Sequence, residues 1–454
     1  GTGGTVTVNG NITSQDAAVD LSNTAAVAMA AGTATATITS TNQNITIGSA
    51  ITDGAVDQVL TFAAGTGSIT LAGANFDAGD ATNSGGLAFT SGQNLTLSGN
   101  VTQRRTFDVT NLGGAVIIAD ATVPSTRTIE TTGTASAIHF SGSETGTAGA
   151  NEVGLDSTTS EYHSATLTAA GSVSLAAVGS GATERPDAVT VTAGAGGVAM
   201  NGAIEVEGDA TISSATALGV GATGSIRSYG LTNGDDGLDD ISLTSTGASV
   251  NVSGTVRADD GDVSVTAATG ATIAGELRAE GTVIVTADSD DNGADDVVVN
   301  AGGDLIAGGG VTLQTGGATS TGTIVINSSV NNTAGTVDFA VADGVLIQDA
   351  VSVQASGTID FSGLTPGSAV TSDGNAVIIS ASGNVDFVGA ASPPMTLEGA
   401  GNAADEDFSL RASNGTIFLA GGGAGGNLDE IVILPGTPGD GADNVVLAGG
   451  TITL

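Results

Sequence analysis

The chain has 454 residues, with 8 basic against 47 acidic side chains and a formal net charge of -39. Such a surface repels phosphate backbones and anionic lipid headgroups, which excludes nucleic acid and membrane surfaces as natural partners. With no cysteine and no tryptophan, disulfide scaffolds and thiol chemistry are excluded as well, and the core must be built from Val, Ile, Leu and Ala.

Glycine counts 72 and proline 7, too much glycine for a helical protein and without the strict triplet of collagen. Taken in order, the chain opens on Val6/Val8 with Ile12. Residues 25–31 are Ala-rich enough to pass for a helix, but Gly32 breaks them and residues 33–38 then alternate as a strand. Ile45/Ile47 with Ile51 follow. The clearest unit is residues 53–76, where Asp53 and Asp57 precede a short apolar strand (Val59, Leu60, Phe62), a turn of small residues, and a second strand alternating at Ile69 and Leu71. A period of two places every other side chain on one face, the mark of a half-buried strand.

The second-strand phrase returns at Leu95/Leu97 with Val101, Val116/Ile118, Ile138/Phe140, Val173/Leu175, Val198/Met200 with Ile204, and Val250/Val252 with Val256. It continues at Ile273 with Leu277, Leu305, Ile324/Ile326 with Val330, Ile359/Phe361, Val385/Phe387, Ile417/Leu419 and Ile452/Leu454. First strands precede many copies, among them Val189/Val191, Ile241/Leu243 and Val263/Val265. A string of β-sandwiches would repeat at roughly 100 residues and carry aromatic anchors. Short, uneven repeats instead suit a parallel β-helix, whose coils absorb extra residues in loops. The expectation is therefore an all-β, right-handed parallel β-helix of about sixteen irregular coils, one continuous solenoid over 1–454. The hand is taken from the general preference of parallel crossovers. No signal peptide is visible and no apolar run is long enough to span a bilayer. The chain begins at Gly1 without Met and stops inside the phrase T-I-T-L, which reads as a segment of a longer protein.

Residues 57–73 (D-Q-V-L-T-F-A-A-G-T-G-S-I-T-L-A-G), 188–204 (A-V-T-V-T-A-G-A-G-G-V-A-M-N-G-A-I) and 443–454 (D-N-V-V-L-A-G-G-T-I-T-L) resemble the large bacterial filamentous-haemagglutinin-like and β-strand-repeat surface proteins. The resemblance implies a secreted protein of the cell surface or extracellular space. It implies an adhesin, exported fibre or surface-layer component without enzymatic activity. Its partners would be copies of itself, the rest of a longer chain, and host-cell or matrix glycans.

The sharpest local motif is Asp288-Ser289-Asp290-Asp291-Asn292-Gly293-Ala294-Asp295-Asp296. Alternate oxygen side chains about a glycine turn suit Ca²⁺, which takes six to eight hard oxygen ligands. Asp288, Asp290, Asn292 and Asp296 are the candidate ligands. The spacing resembles thrombospondin type 3 calcium loops and the first half of an EF-hand loop, although Val299 stands where an EF-hand's last acidic ligand belongs. The competing reading is a solvated acidic turn. Looser acidic phrases at 53–57, 236–240 and 440–443 read as turns whose Asx side chains cap loop backbone.

A carbohydrate-active β-helix is the alternative in another class, and a calcium-dependent surface-layer lattice is a third reading. The first needs acids, a base and aromatic platforms. Tyr162 and Tyr229 are the only tyrosines, and all eight basic residues are arginine. Arg257 and Arg278 follow similar phrases and are expected to stack beside Asp259, Asp260 and Glu280, as a surface ion-pair ladder before a catalytic group. An ice-binding face would need T-x-T pairs such as Thr35–Thr37 in register, and in the sequence these pairs look scattered. His139 alternates outward, and with His163 makes no transition-metal site. Asn44-Ile45-Thr46 and Asn94-Leu95-Thr96 match the glycosylation triplet at a frequency expected by chance in a Thr-rich chain.

Overall fold

A computed structural model describes residues 3–76, 85–118, 126–140, 154–157, 163–179, 185–230, 239–291, 295–316, 321–332, 334–348, 351–365, 368–373, 377–388, 396–399, 407–419, 430–434 and 444–447. Among the described residues every regular element is a β-strand. The chain forms two compact units, 1–233 and 234–454.

In the first unit, strands come in threes. Thr5–Val8, Ile12–Ser14 and Val19–Leu21 pair in parallel with Ala26–Met29, Thr35–Ser40 and Ile45–Ile47 respectively. Each of these strands thus bonds to the third strand after it, and three parallel ladders grow side by side. In the first ladder Val27, Ile51, Ala74, Val101, Ile129, Leu167, Val191 and Ile212 each stand opposite the next, and all are buried. In the third ladder Ile45, Ile69, Leu95 and Val116 do the same, the stack that the sequence phrase anticipates.

The second unit repeats the scheme. Ile241, Val263, Val283, Val311, Val337, Ile359, Val385 and Ile417 form one column in register. All eight are buried and all are β-branched. Such side chains have one stiff rotamer and fit a pleated surface, and each buried one contributes roughly 1.5–3 kcal/mol. Buried and half-exposed residues alternate along these strands, as in Val263–Ala267, so the inward face supplies cohesion and the outward face stays free for chemistry.

Three features differ from the sequence expectation. Ile51–Thr52 and Val101–Gln103 are separate strands of the first ladder, not the tail of the preceding phrase. Ile138 does not continue the Val116 stack. It pairs with Phe107 and Val173 in the second ladder, while Val116 pairs with Leu155. Inward aliphatic alternation is the same in all three ladders, so the pattern alone cannot assign a strand to one of them. The Ala-rich run contains a strand, Ala26–Met29, because its neighbours offer a paired edge and an apolar face.

The step between partners runs from 20 residues, Val263 to Val283, to 39, Val116 to Leu155. Backbone passes close where loops cross: at Gly202 an added Cβ would lie 1.0 Å from the Ala176 carbonyl oxygen.

Candidate functional sites

The outward residues fall into four arrangements. The first is a set of clasps. An Asn or Asp directly before a strand accepts, through Oδ1, a hydrogen bond from the backbone N–H opposite it in the next repeat. Asn44 accepts from Ser68 at 2.9 Å, Asn94 from Ala115 at 3.1 Å and Asn100 from Thr128 at 3.0 Å. In the second unit Asp240 accepts from Asp262 at 2.8 Å, Asp262 from Thr282 at 2.6 Å, and Asn384 from Thr416 at 2.9 Å. The acidic phrase at 236–240 thus ends on a clasp. At 53–57 the joint is held by buried Gln58, whose Oε1 accepts from Gly54 and Ala55 and whose Nε2 donates to the carbonyls of Ala30 and Thr33. The phrase at 440–443 lies outside the described residues.

The second arrangement is the acidic turn at 288–296. Asp288 is fully buried and has a left-handed backbone, φ 50°. Its N–H donates to the Thr269 carbonyl, and Asp291 N–H donates to the Asp288 carbonyl. Asp290 is exposed. Asp296 serves as a clasp, its Oδ1 accepting from Thr323 N–H at 2.8 Å. Asn292 lies outside the described residues. The carboxyl of Asp295 is raised above the ordinary aspartate range, first by burial and then by the charges of Asp288, Asp290 and Asp296, which places these acids within electrostatic reach of one another. Among the described residues no three His, Asp or Glu side chains are arranged to hold a metal ion.

The third arrangement was not foreseen from sequence. Arg185 Nε donates to Glu205 Oε2 and its Nη1 to Glu207 Oε1, both at 3.0 Å. Its Cζ stands 3.4 Å from the centroid of the Tyr229 ring, and Arg227 Cζ stands 4.0 Å from the same centroid. Register explains the meeting. Glu205 lies opposite Arg227 in the ladder, so Glu207 and Tyr229 follow on the same outward face. Burial alone would lower the Arg185 pKa, but the bonds to Glu207 and Glu205 outweigh it and raise it. The Tyr229 ring is thus engaged by guanidinium rather than open as a platform for a sugar. Tyr162 lies outside the described residues. Arg257 and Arg278 do stand opposite each other, and Arg257 Nε donates to Asp259 Oδ1.

The fourth arrangement is a pair of outward columns. In the first unit Thr128, Thr166, Thr190 and Thr211 stand in register, with Glu130, Thr168, Thr192 and Ser213 two residues along. Threonine pairs that look scattered in sequence are therefore stacked here. The named pair Thr35–Thr37 is not extended, since only Thr37 meets a threonine, Thr61, in the following strand. In the second unit the corresponding outward positions carry acid: Asp338 stands opposite Asp360 and Asp360 opposite Asp386.

His139 is half-buried between buried Ile138 and Phe140. His163 is fully buried, and its carbonyl accepts from Asp187 N–H. Comparison with protein-family models, with characterised proteins and with solved structures finds no match to this chain.

Proposed function

We propose that the chain is a non-enzymatic structural rod: a right-handed parallel β-helix serving as a segment of an extracellular or cell-surface filament or adhesin. One observation carries the reading, the repeated pairing of a strand with the third strand after it in parallel register. A chain built so coheres from repeat to repeat, and its length can grow without a new core. The hand follows the general preference of parallel crossovers. Membership of the filamentous-haemagglutinin-like surface proteins belongs to the same proposal and rests on the repeat pattern. Electron microscopy of the purified chain tests it. Elongated particles several times longer than wide are expected, and two compact globules per chain would overturn it.

Calcium at Asp288, Asp290, Asn292 and Asp296 is part of this proposal, with the ion joining the acidic turn to the clasp at Asp296. Addition of Ca²⁺ to chelator-treated protein is expected to raise the melting temperature, and an unchanged melt removes the ion from the account.

A second reading is favoured by the threonine columns. The in-register column Thr128, Thr166, Thr190 and Thr211, with Thr168 and Thr192 two residues along, spaces hydroxyl and methyl groups about 4.8 Å apart along the stack, a regular surface for ordered water such as ice. Thermal hysteresis measured with the wild type and with Thr190→Lys would separate this reading from the plain rod.

A further inference from the structure

In the second unit a three-residue phrase recurs: Val337-Asp338-Phe339, Ile359-Asp360-Phe361 and Val385-Asp386-Phe387. Its first and last residues are buried and its aspartates point the other way, opposite one another in consecutive strands. Parallel in-register pairing puts identical side chains about 4.8 Å apart, and like charges at that distance disfavour joint ionisation. We propose that this aspartate column is an acid-strengthened joint, in which uptake of protons from solvent as pH falls from neutral tightens the cohesion of the repeats over residues 336–388.

The surroundings of the column leave it to itself. Thr312 stands opposite Asp338 at one end and Phe418 opposite Asp386 at the other. The flanking outward positions are Thr336 and Ala340, Thr358 and Ser362, and Asn384 and Val388, none of them charged. Asp360 Oδ1 accepts from Ser362 N–H and Asp386 Oδ1 from Val388 N–H. Asp338 is raised above the ordinary aspartate range by burial and then by the charge of Asp360. Asp386 is raised by burial too, against the opposing pull of the Val388 bond, with Asp360 adding to the rise. Asp360 is thus the charge that acts on both its neighbours.

The sign follows from linkage. A carboxyl whose folded pKa exceeds its unfolded value binds more protons in the folded state, so stability rises as pH falls through the folded pKa. The gain is complete below the unfolded value near 3.8. This is opposite to the behaviour of a carboxylate held by an arginine.

Thermal melts of the full chain at pH 7.5 and pH 4.5, in chelator, provide the test. Asp360→Asn keeps the Oδ1 acceptor and removes the central charge. Its melting temperature is expected to exceed that of the wild type by about 2–4 °C at pH 7.5 and by clearly less at pH 4.5, where the column has begun to take up protons. Asp343→Asn, which removes a charge at an exposed position, controls for net charge, and Asp338→Asn is the second variant should Asp360→Asn fold poorly. A gain at pH 7.5 no larger than that of Asp343→Asn, or one that persists unchanged at pH 4.5, overturns the proposal.

Discussion

Each unit has a column of phenylalanines inside it, and the two columns differ. In the second unit the Phe339 and Phe361 rings are 4.6 Å apart and tilted by 3°, and Phe361 and Phe387 are 4.7 Å apart at 5°. In the first unit Phe62 and Phe89 are 5.8 Å apart at 19°, Phe89 and Phe107 meet edge-on at 69°, and Phe107 and Phe140 are 6.2 Å apart at 48°. Phe62 and Phe89 are ladder partners, but the second ladder is interrupted between Gly86–Ser91 and Phe107–Asp108, where a single bridge joins Gly92 to Leu112. Phe339 and Phe361 stay parallel although the register of their ladder shifts just after Asp338, whereas across the interruption Phe89 and Phe107 settle edge-to-face, which aromatic quadrupoles also favour.

The strongest way to break this comparison is to truncate one ring in each column. Phe361→Ala leaves a hole between two buried rings stacked parallel on either side of it, so the site collapses little. Phe107→Ala opens a hole beside an interrupted ladder, which has room to relax. Large-to-small changes of this kind cost about 3–5 kcal/mol, the spread reflecting how far the cavity closes. Phe361→Ala should sit at the top of that range and Phe107→Ala at the bottom, read as chemical-denaturation midpoints. Equal losses would mean that ring geometry has no bearing on rigidity.

A smaller effect tests the outward faces. Arg185→Ala removes two charge-assisted bonds and a cation held over Tyr229. Glu205 is one-third exposed, so its bond is discounted for solvent screening. Glu207 is almost fully buried and carries most of the loss. The expected cost is about 2–3 kcal/mol, persisting at high salt because a buried pair is weakly screened. Arg185→Lys should recover less than half of it, since an ammonium cannot serve two carboxylates with a planar fork. If 1 M salt erased the loss, the cluster would be no more than surface decoration.

Much of the fold could be read from the spacing of apolar residues, because the same inward side chains that fill the core also fix strand register. The stack Ile45, Ile69, Leu95, Val116 is visible in the sequence and present in the ladder. Assignment of a strand to one of three ladders was not legible, as Ile138 shows, since the loops that decide it have no period. The outward arrangements were mostly hidden. Arg185 reaches Tyr229 across 44 positions of sequence with no local motif to announce it. Asn44 and Asn94 looked like chance glycosylation triplets, and their real work as acceptors depends on a backbone N–H more than twenty residues away.

Those clasps give the smallest and most discriminating prediction. Asp262 donates its own N–H to Asp240 and accepts from Thr282, whereas Asn44 does the accepting job in the first unit without a charge. If the clasp is a hydrogen bond to a backbone donor, Asp262→Ala and Asn44→Ala should each cost about 1 kcal/mol, and Asp262→Asn a few tenths at most, since Oδ1 is kept. Amide hydrogen exchange at Thr282 and Ser68 reads each clasp alone: protection should fall about fivefold in the alanine variants and hold in Asp262→Asn. Loss of protection in Asp262→Asn would instead make the charge the agent, and the aspartate clasps would then be held by a different force from the asparagine clasps at Asn44 and Asn384.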